Sequence, residues 1–262
     1  MRPWSTRPLD GSAPVRVLCG LLCAVASAAC SEGILSPEPA ASVSLSITAS
    51  VGGAMSDGTT IPGVAFADGH HVLSLQRVTL VVGAVSLRDA AVADCVAPVS
   101  AVGGCEVLER GLVLLEAPLD GSVRSLVAAL VRPGRYDALG LQLHAPDRND
   151  PRDSTFLRLH GGFEGTSVRV EGLWDGEPFT FERTLDEERW VDVTPLWAES
   201  GRTVNITLRL DPSSWFRSDD GFLVDPRVAS LDPVAAAAVE SRIRTSIAAF
   251  EDEDVDGFAD SG

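Results

Sequence analysis

The sequence predicts an all-β protein: an antiparallel β-sandwich with one C-terminal α-helix. Three observations carry this. Between Ala41 and Leu210, short apolar runs recur, several alternating with polar residues at period two, the signature of strands with one buried face. Glycine, proline and aspartate separate those runs, as turns require. After Asp211 the apolar spacing changes to three and four, the period of a helix.

Ala41 to Val51 sets Val43, Leu45 and Ile47 against Ser42, Ser44, Ser46 and Thr48, a half-buried strand ended by Gly52-Gly53. A loop rich in Gly, Asp and Thr is expected up to Gly69. Val72 to Val82 and Ala84 to Leu87 read as two strands hinged at Gly83. Leu112 to Leu115 and Ser125 to Val131 follow, the second stopped by Arg132-Pro133-Gly134. Tyr136 to His144 alternates. Phe156 to His160, Ser167 to Trp174, Phe179 to Arg183 and Trp190 to Val193 continue the series, and Thr203 to Leu210 alternates cleanly. The Asp175-Gly176 pair between two such runs predicts a tight hairpin, because both residues tolerate positive φ. Asp232 then caps a helix and Pro233 suits its first turn. Val239, Ile243, Ile247 and Phe250 line one face, so the helix is expected over 232–250.

The N-terminus reads as an address. Arg2, Arg7 and Arg16 precede an apolar run from Val17 to Ala29, which is too short for a comfortable membrane span. Small residues Ser27-Ala28-Ala29 lead directly to Cys30. This resembles the lipobox of bacterial lipoproteins, with Cys30 as the lipid-bearing first residue and Ser27 where that motif usually carries leucine. The resemblance implies attachment to the membrane through an N-terminal lipid. Ser31, rather than aspartate, follows the cysteine and directs the expectation to the outer membrane. Ordinary cleavage near Ala29, giving a secreted or periplasmic protein, is the alternative. The expected organisation is a signal peptide over 1–29, a tether over 30–40, a β domain over 41–231, the helix over 232–250 and an acidic tail over 251–262.

In an exported chain, Cys95 and Cys105 read as a disulfide closing a surface loop. A loop of that length stabilises by about 2.5–3 kcal/mol in the chain-entropy account. The 37 acidic residues outnumber the 21 basic ones, all of them arginine, for a net charge of −16. Such a surface disfavours nucleic acid and favours solubility and loose cation binding.

Gly111-Leu-Val-Leu-Leu-Glu-Ala-Pro-Leu-Asp-Gly121, Arg132-Pro-Gly-Arg-Tyr136, Val204-Asn-Ile-Thr-Leu208 and Ser214 to Pro226 together resemble an uncharacterised family of bacterial lipoproteins. That resemblance implies an immunoglobulin- or transthyretin-like sandwich over residues 41–262 and an envelope location. It brings no activity and no catalytic residue.

The sharpest local motif is Asp252-Glu-Asp254-Val-Asp256-Gly257-Phe258-Ala-Asp260. Aspartates at relative positions one, three and five, with glycine at six, resemble the start of a calcium loop. Hard cations take several oxygens on a sharply turned backbone. Phe258 would contribute its carbonyl and Asp260 a direct or water-mediated ligand, with the helix leading in. A solvated acidic tail is the competing reading, and the twelfth position, usually a bidentate glutamate, falls beyond Gly262. The Asp147–Asp150–Asp153 loop, interleaved with Arg148 and Arg152, reads as self-neutralised. His70, His71, His144 and His160 lack ligand spacing. Trp174, Trp190, Trp197 and Trp215 read as core, or alternatively as a sugar platform. No nucleophile elbow, zincin or phosphate-loop motif occurs. The expected function is therefore non-enzymatic: an envelope-anchored sandwich that binds or scaffolds a carbohydrate or protein partner. A carbohydrate-binding module and an extracytoplasmic hydrolase with a carboxylate site are the alternatives.

Overall fold

A computed structural model describes residues 40–50, 63–92, 95 and 105–260. The expected signal peptide over 1–29, Cys30 and all of the expected tether but Ala40 lie outside the described residues. The domain is an all-β sandwich with a small helical part, as the alternation predicts.

The first sheet has the order β12-β11-β1-β6, formed by β1 (Ala41–Ala49), β6 (Arg124–Val131), β11 (Thr203–Leu210) and β12 (Ile247–Glu251). The second has the order β10-β7-β3-β8-β9, with β2, β4 and β5 also paired to β3. Its strands are β2 (Val64–Ala67), β3 (Val72–Asp89), β4 (Cys105–Glu109), β5 (Val113–Glu116), β7 (Gly134–Leu143), β8 (Val168–Trp174), β9 (Glu177–Arg183) and β10 (Glu187–Ala198). Val43, Leu45 and Ile47 of β1 meet Leu75, Leu141, Phe181 and Trp215 in one core cluster.

β3 is the spine of the second sheet. Its first half pairs with β2 and β8, its middle with β5, and its second half with β4 and β7. It is one strand, not two. The hinge expected at Gly83 is a bulge: pairing with β7 steps from Val82↔Leu143 to Ala84↔Gln142, and the strand continues. The Asp175-Gly176 hairpin forms as predicted, with φ of 49° and 86°. Tyr136 is buried, and its hydroxyl donates to the Arg132 carbonyl at 2.7 Å, so Arg132-Pro-Gly-Arg-Tyr136 turns the chain into β7. Cys95 and Cys105 are disulfide-bonded, with Cα atoms 5.2 Å apart.

Four expectations are corrected. β1 and β11 run parallel, from Ser42↔Thr203 to Ala49↔Leu210, so the sandwich is not wholly antiparallel. β2 and β4 form within segments read as loops, because β3 offers them an edge. Residues 156–160 are not a strand: Ser154–Leu159 is the short helix α1, whose Phe156 packs on Phe163 and Val81 in a second small cluster. The C-terminal helix is also shorter than 232–250. After α2 (Pro226–Leu231), α3 runs only over Pro233–Thr245. Asp232 caps α3 as expected, Oδ1 accepting the Val234 and Ala235 N–H groups at 2.7 and 3.2 Å. Ser246 closes it, its N–H donating to the Arg242 carbonyl and its hydroxyl to the Ile243 carbonyl. Ile247 and Phe250 then belong to β12, antiparallel to β11. Their spacing suits a helical face, but the free edge of β11 takes their backbone groups instead.

Candidate functional site

The acidic segment follows β12 directly, so the element leading into it is a strand, not the expected helix. Its position is set by a line of uncharged polar side chains across β1 and β11. The parallel register places Ser44 beside Asn205 and Ser46 beside Thr207. The Ser44 and Ser46 hydroxyls donate to Asn205 Oδ1 at 2.8 and 3.0 Å. Asn205 Nδ2 donates to Thr207 Oγ1 at 3.2 Å and to the Asp252 carbonyl at 3.0 Å. Thr207 Oγ1 donates to Asp252 Oδ2 at 2.6 Å. Ser46, Thr207 and Asp252 are each no more than 1% exposed, so this line is interior structure rather than a wetted strand face. An unpaired buried polar group is costly, and here each finds a partner.

Asp252 turns the loop around itself. Oδ1 accepts the Asp256 N–H at 2.9 Å and Oδ2 the Gly257 N–H at 3.0 Å. Val255 and Gly257 take positive φ of 59° and 86°. A β-branched residue resists that region, so the surrounding bonds hold Val255 there. Gly257 is required on two grounds, since a Cβ would also stand 3.0 Å from Val123 Cγ2.

The loop brings Asp252, Asp254 and Asp256 together, with one carboxylate oxygen from each within 4.8 Å of the others. These three can hold a metal ion. Asp260 accepts the Glu253 N–H at 2.6 Å and is not one of the three; the Phe258 side chain is 70% exposed. The Asp254 carboxyl is held above its ordinary range by reduced hydration and by the charges of Asp256 and Asp260. Glu251 is raised in the same way, by burial and by Glu253 and Asp260. Arg202 reaches Glu253 at 3.2 Å, at the loop's outer side. A 320 Å³ cleft adjoins the loop, lined by Thr48, Ser50, Arg209, Asp256 and Phe258 among others.

The remaining sequence candidates are dispersed. Trp174 and Trp215 are buried, Trp190 is half-buried against Gly140, and only Trp197 of these four is exposed. They form no sugar platform. His71 stacks on Trp174 and pairs with Asp175 at 2.7 Å, and the His160 ring lies on Phe156. Asp153 leaves its self-neutralised neighbours and pairs with His144. Sequence reading missed Asn205 and Thr207. Their signal was an uncharged polar face, Ser44-Ser46 opposite Asn205-Thr207, in a chain rich in charge.

No protein-family model matches this chain, and no curated protein matches it. Among solved structures it is similar to MbnP from Methylosinus trichosporium. The two share 15% sequence identity over 76% of this chain and 86% of that one, with a TM-score of 0.41. At that distance no residue or ligand is carried across. Among the described residues, no helix is long and apolar enough to cross a membrane.

Proposed function

We propose that this protein is an envelope-anchored, non-enzymatic lipoprotein whose β-sandwich binds or scaffolds an extracytoplasmic partner, and whose C-terminal loop is fastened by calcium. The convergence of Asp252, Asp254 and Asp256 on one small volume supports the calcium part. Oxygen donors without nitrogen or sulfur suit a hard cation, and an irregular loop suits calcium better than magnesium, which demands near-ideal octahedral geometry. A bound dication offsets the reduced hydration and the repulsion that together raise Asp254. Phe258 and Asp260 remain the further ligands in this reading, the first through its carbonyl. The absence of a catalytic motif from the sequence supports binding over catalysis, and the Cys30 pattern supports the anchor.

Two experiments test it. Calorimetric titration with calcium should give one binding event, abolished in the Asp254→Ala/Asp256→Ala variant; equal heats in both proteins, or none in either, sink the calcium reading. Expression in a bacterium fed a labelled fatty acid should mark the protein, and Cys30→Ser should remove the label. A label that survives in that variant defeats the anchor.

A further inference from the structure

The polar line across β1 and β11 continues past the acidic loop. Alternate residues of a strand share a face, so the pair after Ser46 and Thr207 on that face is Thr48 beside Arg209. Asp252 covers Asn205 and Thr207, whereas Thr48 and Arg209 line the 320 Å³ cleft. Among the described residues, Arg209 enters no ion pair and no side-chain hydrogen bond. Its guanidinium lies over the Phe250 ring instead, with Cζ 5.2 Å from the centroid. That stacking holds the group in place and leaves its fork of N–H donors open. Arginine stays charged in a folded protein, so this charge does not depend on a choice of protonation state.

The other lining groups narrow the ligand. Thr48, whose hydroxyl donates to the Ser122 carbonyl at 3.1 Å, and Ser50 give the cleft polar character. The exposed Phe258 side chain lines it too and offers an aromatic face. The cleft therefore suits a molecule with a planar anionic group, hydroxyls and an apolar flank. A carboxylate matches the guanidinium fork with two parallel hydrogen bonds. A pyranose ring has a C–H face for an aromatic side chain and a rim of hydroxyls. A uronic acid, a sugar that carries a carboxylate, has all three. The cleft volume falls within the range of small-molecule sites, about 300–1,000 Å³.

We propose that this cleft binds a uronic acid unit of an acidic saccharide, with the carboxylate on Arg209 and the sugar ring against Phe258. Asp256 couples the cleft to the loop, since it lines the one and is among the three converging aspartates of the other. Unneutralised, those aspartates repel an anionic ligand and oppose Arg209. Calcium in the loop offsets that repulsion, and an ion that takes about six to eight oxygens has positions left for sugar hydroxyls. Calcium therefore strengthens saccharide binding, and the saccharide strengthens calcium binding by the same factor. This coupling rests on the calcium site proposed for Asp252, Asp254 and Asp256.

The probe is methyl glucuronide, with methyl glucoside as its neutral counterpart, read by saturation-transfer NMR on the purified full-length protein in calcium. The glucuronide should receive saturation and the glucoside should not. Arg209→Gln should weaken glucuronide binding at least about tenfold, and Arg209→Lys, which keeps the charge but loses the fork, by less. Phe258→Ala alters an exposed side chain, so the fold stays intact, and transfer to the sugar C–H protons should fall. Removing calcium with a chelator should weaken binding about fivefold or more, and Asp254→Ala/Asp256→Ala should bind equally with and without calcium. Calorimetry on the same samples reads calcium separately. Calcium heat without glucuronide transfer defeats the saccharide site and leaves the calcium loop standing. Transfer that depends on Arg209 but comes without calcium heat defeats the calcium loop and supports the saccharide site. The proposal is overturned if glucoside binds as well as glucuronide, if acetate at equal concentration displaces the glucuronide, or if neither Arg209→Gln nor Phe258→Ala changes the transfer.

Discussion

Asp68 and Asp254 both stand in turns of a strongly acidic chain, yet their surroundings act on them in opposite directions. Asp68 accepts the N–H groups of His70 and His71 on Oδ1 and that of Leu223 on Oδ2. Those donors, His71 first, hold its carboxyl far below the ordinary range. Asp254 loses hydration and faces the carboxylates of Asp256 and Asp260, and its carboxyl is raised. The first turn is neutralised by the chain's own backbone dipoles. The second is left short of positive charge, which a cation from solution can provide. Asp252 belongs to both kinds: it lies within the acidic loop but gathers the Thr207 hydroxyl and the Asp256 and Gly257 N–H groups.

The largest test of this contrast is Asp252→Ala. It strands a buried hydroxyl and two turn N–H groups, so the expected loss is about 3 kcal/mol in chemical denaturation. The variant should also lose any calcium response, because the turn that presents Asp254 and Asp256 is gone. In the wild-type protein, calcium at a hundredfold excess over its dissociation constant should add about 2.7 kcal/mol. A variant as stable as wild type would mean that Asp252 organises nothing.

Asp68→Ala should lower the denaturation midpoint by less than Asp252→Ala, since the released His70 and His71 N–H groups lie in an exposed turn and rehydrate, leaving only that of Leu223 part-buried. Its distinguishing mark is indifference to calcium: the wild-type calcium increment should be fully retained. An increment that shrinks in this variant would break the division between the two turns.

The smallest effect is in the pH dependence, and its sign differs between the two turns. Asp68 has a depressed value when folded, so it contributes stability above the ordinary carboxylate range that is lost as pH falls through and below it. Asp254 and Glu251 have raised values, so the folded state takes up their protons first and stability rises as pH falls toward the ordinary range. Without calcium, Asp254→Asn with Glu251→Gln should therefore remove an acid-side gain, while Asp68→Asn should remove an acid-side loss. Urea denaturation at about pH 3 and pH 6 reads both, and slopes that change in the same direction for the two variants would refute the assignment.

Much of this was legible locally. Period-two alternation located most of the strands, because each strand's two faces meet different solvents. Asp175-Gly176 specified its hairpin through backbone conformation alone. Asp232-Pro233 specified a helix start, and spacing together with the expected export specified the Cys95–Cys105 bond. The acidic motif was visible for the same reason: its chemistry lies within nine residues of chain, from Asp252 to Asp260.

Other features exist only where distant segments meet. Ile247 and Phe250 fit a helical face as well as a strand, and the open edge of β11 decided between them. Ser44 and Asn205 are 161 residues apart, and only the parallel pairing of β1 with β11 makes them one buried polar line beneath the acidic loop. His144, Asp153 and Asp186 carry no motif spacing, and a loop and a strand connection bring them together. The sequence by itself determined the elements and the local turns, because backbone preference and side-chain periodicity act over a few residues. The tertiary structure decided which strands pair and which side chains share a site, because hydrogen-bond partners and charges act through space without regard to distance along the chain.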